Sequence, residues 1–331
     1  MNRPANPKSR RIIAQTPSHT GIIREETVAL RQLLGYGRST EASLRLNVPE
    51  LGTNLPGSSM RDVLLVGLDV DTFQGYGELI PDQQLHVGIS ILDTRRLHEL
   101  LVSSSCEGEL ATAMDSYQLT IGSSGYCRRA RNNFLFGQSK SAASISELKS
   151  ELEHLVEGRD IILVFHGANS DLKMLRHLNI DLRPLYIIDT NKAAQYPLQL
   201  WYRYGLEKLL DVLEIPYALL HASGNDARFC LQALLMLAVK DAEMSQPGAT
   251  ADDALLRLLE GISQAPRPST RGEIQAALAP ARLAAKEVKA ASAARRKQRR
   301  AARKERRRLE REGREDVAEE SDTEEPNNSG G

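Results

Sequence analysis

The segment VLLVGLDV (residues 63–70) is apolar at almost every position. Such a run is typical of a β-strand that is covered on both faces. In the segment LHVGISIL (residues 85–92), apolar side chains alternate from Leu85 to Ile91, as expected for a neighbouring strand. The connection between the two, GYGELIPDQQ, contains glycine and proline and therefore predicts a hairpin.

Helix and strand patterns alternate in the following part of the chain. The segments DIILVF (residues 160–165) and LYIID (residues 185–189) predict two further buried strands. Apolar residues at helical spacing predict helices at residues 144–156, 170–178, 206–213 and 225–239. Shorter strands are expected at residues 117–121 and 133–136. This order predicts an α/β fold with a mixed β-sheet and helices packed on both faces.

Composition divides the chain into four regions. Residues 1–59 are expected to form an N-terminal arm, largely disordered because its start is polar and rich in proline and serine, with one short helix at residues 25–34. Residues 60–243 form the folded domain, and a hydrophobic content of 41% is enough for a sizeable core. Residues 244–280 are a linker with a short helix, and residues 281–331 are a charged tail.

The net charge of the chain is zero, but charges of opposite sign are strongly segregated within the tail. Residues 282–314 contain fifteen Lys and Arg against four Asp and Glu, whereas residues 315–325 contain seven acids and no base. The run RRKQRRAARKERRR has three interpretations: loose binding to a phosphate backbone, a nuclear-import signal, or a solvated helix or disordered segment. No aromatic residue interleaves the basic ones, so stacking on nucleobases by the tail is not indicated.

Location and redox state follow from what the sequence lacks. No segment reaches the roughly 18 uninterrupted apolar residues that a membrane-spanning helix needs, and the first residues show no secretory signal. Cys106, Cys127 and Cys230 include no CxxC pair, so they are expected to be reduced thiols rather than part of a zinc ribbon or disulfide framework. We therefore expect an intracellular protein of the cytoplasm or nucleus.

Acidic residues stand where the predicted strands and helices meet. Asp69 and Asp71 lie two apart at the end of the most apolar strand, so both side chains project from the same face. Burying two like charges there would raise their pKa values unless a cation compensates, and a divalent metal would do so. Asp171 lies where a strand turns into a helix, and Asp226 lies in the first turn of the last strong helix, shortly after His221. Loops at such ends can converge on one crevice.

Each of these residues also has a structural interpretation. Asp171 and Asp226 could stabilise helix N-termini, and Ser223 with Asp226 matches an S-x-x-D capping box. Asp69 and Asp71 could end a strand beside a polar turn. Among the other histidines, His166 is expected to be a hydrogen-bonded residue at a strand end. Four more are expected at the surface: His86, His98, His154 and His177.

The order of these motifs resembles the DEDDh 3′-to-5′ exonucleases of the RNase H-like superfamily. It is most similar to the fungal branch that includes the Argonaute-associated exonuclease of RNA quelling. The resemblance covers about residues 61–240 and is carried by the segments LDVDTFQ, HVGISILDT, FLFGQS, VFHGANSDLKML, IIDT and LHASGNDARFCLQALL. The last segment is the most specific, because His, Gly-Asn-Asp and an apolar helix occur together in that branch.

The resemblance implies an RNase H-like fold and two-metal hydrolysis of phosphodiester bonds in RNA or single-stranded DNA. Four carboxylates would hold two Mg²⁺ or Mn²⁺ ions: Asp69 at both ions, Asp71 and Asp226 at the first, and Asp171 at the second. His221 would be the general base, since the ordinary pKa of a histidine is close to neutral. The implied partners are nucleic acid and an Argonaute-type or other ribonucleoprotein, with no membrane involved.

One residue departs from the family pattern. Asp71 occupies a position where the family has glutamate, which leaves the carboxylate shorter by one C–C bond, about 1.5 Å. Metal–ligand distances tolerate deviations of only about a few tenths of an ångström. The resemblance therefore implies the fold more directly than it implies the activity. Two alternatives therefore stay open beside an active exonuclease. The chain could be a catalytically weak or inactive RNase H-like interaction module in a ribonucleoprotein complex, or a scaffold that works through its tail.

Overall fold

The computed structural model describes residues 21–37, 46–103, 107–245 and 253–321. These residues divide into two compact units, one ending at Pro268 and one beginning at Ser269. The first 20 residues of the expected N-terminal arm, Cys106 and the last acidic residues of the tail lie outside the described residues.

The first unit contains six strands and ten helices among its described residues. The strands are β1 (Leu64–Thr72), β2 (Leu85–Asp93), β3 (Asp115–Ile121), β4 (Lys140–Ser141), β5 (Ile161–Phe165) and β6 (Tyr186–Asp189). The helices are α1 (Glu25–Leu34), α2 (Thr94–Ser103), α3 (Glu107–Ala111), α4 (Gly125–Asn133), α5 (Ile145–Leu155), α6 (Asn169–His177), α7 (Thr190–Ala193), α8 (Leu206–Val212), α9 (Ser223–Ser245) and α10 (Asp253–Ser263).

The strands form one mixed sheet in the order β4-β3-β2-β1-β5-β6. β1 pairs antiparallel with β2 through the predicted hairpin, and β2 pairs antiparallel with β3. β5 runs parallel to both β1 and β6. The carboxyl ends of β1, β5 and β6 therefore meet at one edge of the sheet, from which α6 and α7 begin. The expected α/β architecture, a mixed sheet of the RNase H-like kind with helices on both faces, is confirmed.

Alternate side chains of β1 enter two different hydrophobic cores, which explains why the strand is apolar throughout. Leu65 belongs to the core formed with α9, α1 and α10. Val66 and Leu68 belong to the core on the opposite face, formed with α5 and α6. Helix α9 is buried along most of its length, because the sheet covers one side of it and other helices cover the rest.

Two helices outside the expected folded domain contribute to its core. Leu30 and Leu33 of α1, in the expected N-terminal arm, are 1% and 0% exposed, and Leu259 of α10, in the expected linker, is 0% exposed. Arg31 of α1 also forms a buried ion pair with Asp241 of α9 at 2.7 Å. Removing either partner would leave a buried charge, at a cost of about 3–5 kcal/mol. Both helices are therefore structural parts of the first unit.

The segment at residues 133–136 is not the strand that the sequence pattern predicted. Helix α4 ends at Asn133, and Phe134 follows in extended conformation as its C-cap. The main-chain N–H of Leu135 then donates to the side chain of Asn225 at 2.9 Å, rather than to a neighbouring strand. The alternation of apolar residues here reflects packing of a loop against α9, which a short sequence window does not distinguish from a strand.

Among its described residues, the second unit contains one long helix, α11 (Arg271–Ser321). Its basic run is helical, and the side chains described from Arg271 to Arg308 are exposed. This agrees with the interpretation of the run as a solvated helix, since the segment combines high helix propensity with no wide apolar face. In the described part of the chain, no helix combines the length and apolar character needed to cross a membrane.

Candidate active site

The end of β1 carries the first two acidic residues of the expected site. Asp69 and Asp71 lie two residues apart on one strand, so both side chains project towards the face on which α9 packs. Their cross-strand partners in β2 are Gly88 and His86, respectively. The acidic pair therefore lies between the sheet edge and the first turn of α9.

Two glycines allow α9 to approach the sheet closely enough to complete this arrangement. A Cβ atom on Gly67 would collide with the main-chain oxygen of Ala227, and a Cβ atom on Gly88 would collide with the main chain of Ser223. Any larger residue would push the first turn of α9 away from β1. The glycines thus set the distance between Asp69 and the acidic residue of α9.

Asp171 reaches the same place from α6. It lies in the first turn of that helix, is 7% exposed, and accepts a 2.8 Å hydrogen bond at Oδ1 from the main-chain N–H of Val70. Burial raises the pKa of Asp171 to about 6, and the neighbouring charges of Asp71 and Asp189 act in the same direction. The hydrogen bond from Val70 opposes this rise.

Asp226 reaches the site from the first turn of α9. Its Oδ2 accepts a 2.9 Å hydrogen bond from the main-chain N–H of His221. Its Oδ1 is buried and has no hydrogen-bond partner in the part of the chain that the structure describes. Burial raises the pKa of Asp226 to about 7, with further contributions from Asp71 and Asp171. The capping box suggested by the sequence does not form, because the Ser223 hydroxyl contacts His86 instead of the Asp226 amide.

The pKa of Asp69 reflects the charges of the other three carboxylates, so the four form one electrostatic cluster. Burial raises the pKa of Asp69 well above its ordinary value, and the charges of Asp226, Asp171 and Asp71 raise it further. A hydrogen-bonding interaction with Ser223 opposes the rise. The structure therefore brings together all four acidic residues that the sequence singled out, from β1, α6 and α9.

His86 is a buried neighbour of this cluster, so the expectation that it lies at the surface is wrong. Its Nδ1 lies 2.7 Å from the Ser223 hydroxyl oxygen, and its Nε2 lies 3.8 Å from Oδ2 of Asp71. The ring stacks on Tyr126, with centroids 4.9 Å apart. Burial lowers the pKa of His86 to about 4, so the imidazole is neutral at physiological pH. The strand alternation had placed His86 on an outward face, but α9 covers that face.

His221 lies at the rim of the cluster in a constrained loop. Its side chain is exposed, and its main chain has a φ of +64°, a conformation that residues other than glycine seldom adopt. Nearby Leu219 also has a positive φ, of +53°. Such strain persists only where surrounding contacts hold the backbone in place.

Asn225 supplies those contacts, a role that sequence reasoning missed. Its Nδ2 donates 2.9 Å hydrogen bonds to the main-chain oxygens of Leu219 and Asn133, and its Oδ1 accepts from the N–H of Leu135. Asn225 is fully buried, and its amide group, together with the Asp226 carboxylate that accepts from the His221 N–H, holds the loop carrying His221 against α9. The signal in the sequence was an asparagine inside the first turn of an apolar helix.

The donor set of the cluster fits a hard divalent cation. Carboxylate oxygens are the ligands that Mg²⁺ and Mn²⁺ prefer, and the unpartnered, buried Oδ1 of Asp226 is the kind of atom that a cation satisfies. Among the described residues, no group of three or more His, Cys, Asp or Glu side chains has a ready-made arrangement that could hold a metal ion. The electrostatic coupling thus shows proximity, while the present side-chain orientations are directed to protein donors such as the N–H of Val70.

Comparison with known proteins identifies the class to which this fold and acidic cluster belong. Residues 64–237, more than half of the chain, match the DEDDh family model described as "DNA polymerase III subunit epsilon-like, C-terminal domain". The chain therefore belongs to the DEDDh exonuclease family, a family of nucleases that generally use divalent metal ions. The matched range includes β1, α6 and the first turn of α9.

A curated relative gives a more limited comparison. Over 111 residues the chain is 30% identical to a Schizosaccharomyces pombe protein described as an uncharacterized nucleolar protein. The match covers 31% of this chain and 45% of that protein, so it spans less than half of the relative's length.

Proposed function

We propose that this chain is a metal-dependent exonuclease that removes nucleotides from the 3′ end of RNA or single-stranded DNA. The observation that carries the proposal is the convergence of four carboxylates from β1, α6 and α9, where burial and then the charges of Asp226 and Asp171 raise the pKa of Asp69. A fold without a cationic partner for such a cluster would lose stability through repulsion and desolvation. Membership of the DEDDh family also supports a nuclease function.

Four residues would hold the metal ions in this proposal: Asp69, Asp71, Asp171 and Asp226. A pair of Mg²⁺ or Mn²⁺ ions, when bound, supplies charge stabilisation for the attacking and leaving oxygens of the phosphodiester. Asp69 would contact both ions, Asp71 and Asp226 the first, and Asp171 the second. The hydrogen bonds from Val70 to Asp171 and from His221 to Asp226 would orient these carboxylates.

His221 would act as the general base. Its imidazole would accept a proton from the attacking water, whose oxygen forms a bond to phosphorus while the bond from phosphorus to the 3′ oxygen breaks. The leaving oxygen takes a proton from solvent or from the imidazolium, and the products are a nucleoside 5′-monophosphate and a strand shortened by one nucleotide. The exposed side chain of His221, on a loop fixed by Asn225, suits a group that meets substrate at the rim.

The partners belong to the same proposal. The His-x4-Asp motif with Gly-Asn-Asp, residues 221–226, supports a place in the branch that includes the quelling exonuclease, and hence an Argonaute-type or other ribonucleoprotein partner. The basic helix α11 would tether nucleic acid loosely through its phosphates. The basic run and the nucleolar description of the fission-yeast relative support a nuclear location.

A second candidate function is an RNase H-like interaction module with weak or no catalysis. It is favoured by the position of Asp71, whose short side chain accepts a 2.9 Å hydrogen bond from the adjacent N–H of Thr72 and faces the buried His86. A carboxylate used in this way is less available to a cation than the longer glutamate of the family pattern.

An exonuclease assay separates the two functions. Purified full-length protein is incubated with 5′-labelled single-stranded RNA and DNA in Mg²⁺, in Mn²⁺ and in chelator, beside Asp69→Asn and the matched control Asp181→Asn, which changes an exposed loop carboxylate. The proposal expects stepwise shortening from the 3′ end that needs metal, survives in Asp181→Asn and is lost in Asp69→Asn. Intact substrate under every condition would leave the interaction module as the function.

A further inference from the structure

An aromatic ladder, formed by the exposed Trp201 and Tyr202 and the half-buried Tyr204, lies outside the residues used above. The rings of Trp201 and Tyr202 are 5.1 Å apart, and those of Tyr202 and Tyr204 are also 5.1 Å apart. Lys208 lies beside the ladder, with Nζ 4.1 Å from the Tyr204 ring centroid and 3.2 Å from the Tyr202 hydroxyl. The three rings and the ammonium group form one continuous surface.

The exposure of this ladder needs an explanation. Trp201 is the sole tryptophan of the chain and is 68% exposed, and Tyr202 is 40% exposed. Tryptophan is on average a highly buried residue, and clustered exposed apolar rings usually mark a binding surface.

The ladder is attached to the edge of the sheet that carries the acidic cluster. His166, the residue after β5, has Nε2 3.1 Å from the main-chain oxygen of Tyr204 and Nδ1 2.9 Å from the Thr190 hydroxyl. β5 runs parallel to β1 and leads into the turn before Asp171. The chain therefore anchors the ladder beside the carboxyl end of β5, next to the strand that ends in Asp69 and Asp71.

Two cations accompany the rings. Arg203 is exposed between the rings, and Lys208 lies against them. The acidic residues of the same helix, Glu207 and Asp211, lie 3.4 and 3.0 Å from the Tyr217 hydroxyl, which has one proton to donate between them. Aromatic faces with interspersed cations are the combination that binds single-stranded nucleic acid, through stacking on bases and attraction to phosphates.

We infer that the aromatic ladder is a stacking platform for the bases of single-stranded nucleic acid, which it guides to the acidic cluster. Bases stack on Trp201 and Tyr202, while Arg203 and Lys208 face the phosphates. This inference rests on the proposed nuclease function and adds to it a binding surface that requires unpaired, accessible bases near the 3′ end. The charged tail has no interleaved aromatic residues and would contribute only electrostatic attraction.

The sole tryptophan gives a direct test in which no cleavage is needed. Full-length Asp69→Asn protein in chelator is titrated with a single-stranded oligonucleotide of about 12 nucleotides and, separately, with an abasic phosphodiester strand of the same length. The platform predicts quenching of Trp201 fluorescence by the base-containing strand and much less quenching by the abasic strand. Equal responses to both strands, or no response to either, would overturn the inference.

Variants measured with a fluorescently labelled strand give the magnitude. Trp201→Ala should raise the Kd about tenfold, equivalent to about 1.4 kcal/mol, whereas Trp201→Phe should keep most of the affinity. The matched control is Tyr117→Ala, which removes another exposed ring. Tyr117 lines a different cavity, together with Leu64 at the start of β1. An unchanged Kd in Trp201→Ala would contradict the platform and would leave the ladder as a docking surface for a protein.

The inference and the proposed function can fail separately. The proposal expects the p-nitrophenyl ester of thymidine 5′-monophosphate, a single-nucleotide substrate, to engage the acidic cluster without reaching the ladder. Trp201→Ala should hydrolyse this ester at the wild-type rate but show a raised KM on the long strand. Quenching without hydrolysis of any substrate would retain the platform and reject the nuclease. Strand shortening with no effect of Trp201→Ala on Kd or KM would retain the nuclease and reject the platform.

Discussion

The main-chain N–H of Val70 donates a 2.8 Å hydrogen bond to Oδ1 of Asp171, across a separation of 101 residues in the chain. Val70 stands between the two acidic residues of β1, and Asp171 stands in the first turn of α6. The contact that joins the end of the strand to the helix therefore also sets the distance between the carboxylates. Fold and site depend on the same hydrogen bond.

Replacing Asp171 should separate its structural role from its chemical one. Asp171→Asn keeps an oxygen that can accept from Val70 but removes a buried charge, so the metal-free fold should be at least as stable as wild type while exonuclease activity is lost. Asp171→Ala removes the acceptor and should lower the free energy of unfolding by about 1–3 kcal/mol. Urea unfolding in chelator measures both, and equal destabilisation by the two variants would contradict this assignment.

The stability of the metal-free protein should fall as the pH rises through the pKa values of the acidic cluster. Burial raises the pKa values of Asp171 and Asp226 to about 6 and about 7, from an ordinary value of 3.8. The folded state thus binds more protons than the unfolded state between about pH 4 and pH 7, and its stability decreases across that window. Because other groups also titrate, the measurement is the difference in free energy of unfolding between wild type and Asp226→Asn at pH 5 and pH 8. Asp226→Asn should gain relative stability at pH 8.

Divalent metal should reverse this loss. An ion that binds only the folded state stabilises it by about 2.7 kcal/mol when its concentration is 100 times its Kd. Mg²⁺ or Mn²⁺ should therefore raise the Tm of wild type at pH 8, and less at pH 5, where protons compete for the carboxylates. Asp69→Asn should show little of this effect, and Asp181→Asn should show all of it. A Tm that does not respond to either metal at pH 8 would argue against a metal site.

The sequence predicted the sheet and the acidic cluster better than their surroundings. The periodicity of residues 63–70 and 85–92 was enough to place β1 beside β2, and the positions of Asp171 and Asp226 at helix starts indicated that both could converge on Asp69. His86 was misplaced because strand alternation shows which side chains share a face and not what covers that face. The packing of α1 and α10 was missed because a helix with a narrow apolar stripe looks the same in a linker as in a core.

Lengthening Asp71 should strengthen the site. Asp71→Glu restores the reach of the family pattern, and the side chain at this position is 30% exposed, so one more methylene has room. We expect kcat/KM on single-stranded substrate to rise by about tenfold, in the range by which metal sites respond to misplaced supporting groups. Asp71→Asn keeps the shorter length without the charge and should lower activity. A loss of activity in both variants would mean that the aspartate is fitted to its contact with His86.

Asn225 should affect catalysis through the position of His221 rather than through substrate binding. Asn225→Ala removes three hydrogen bonds, including the one to the main-chain oxygen of Leu219, and releases a loop that holds positive φ at Leu219 and His221. We expect kcat to fall by about 10- to 100-fold, since small displacements of a proton acceptor are costly, while KM changes little. Asn133→Ala is the matched control, because Asn225 binds the main-chain oxygen of Asn133 and that oxygen remains. A rise in KM without a fall in kcat would assign Asn225 to the substrate surface instead.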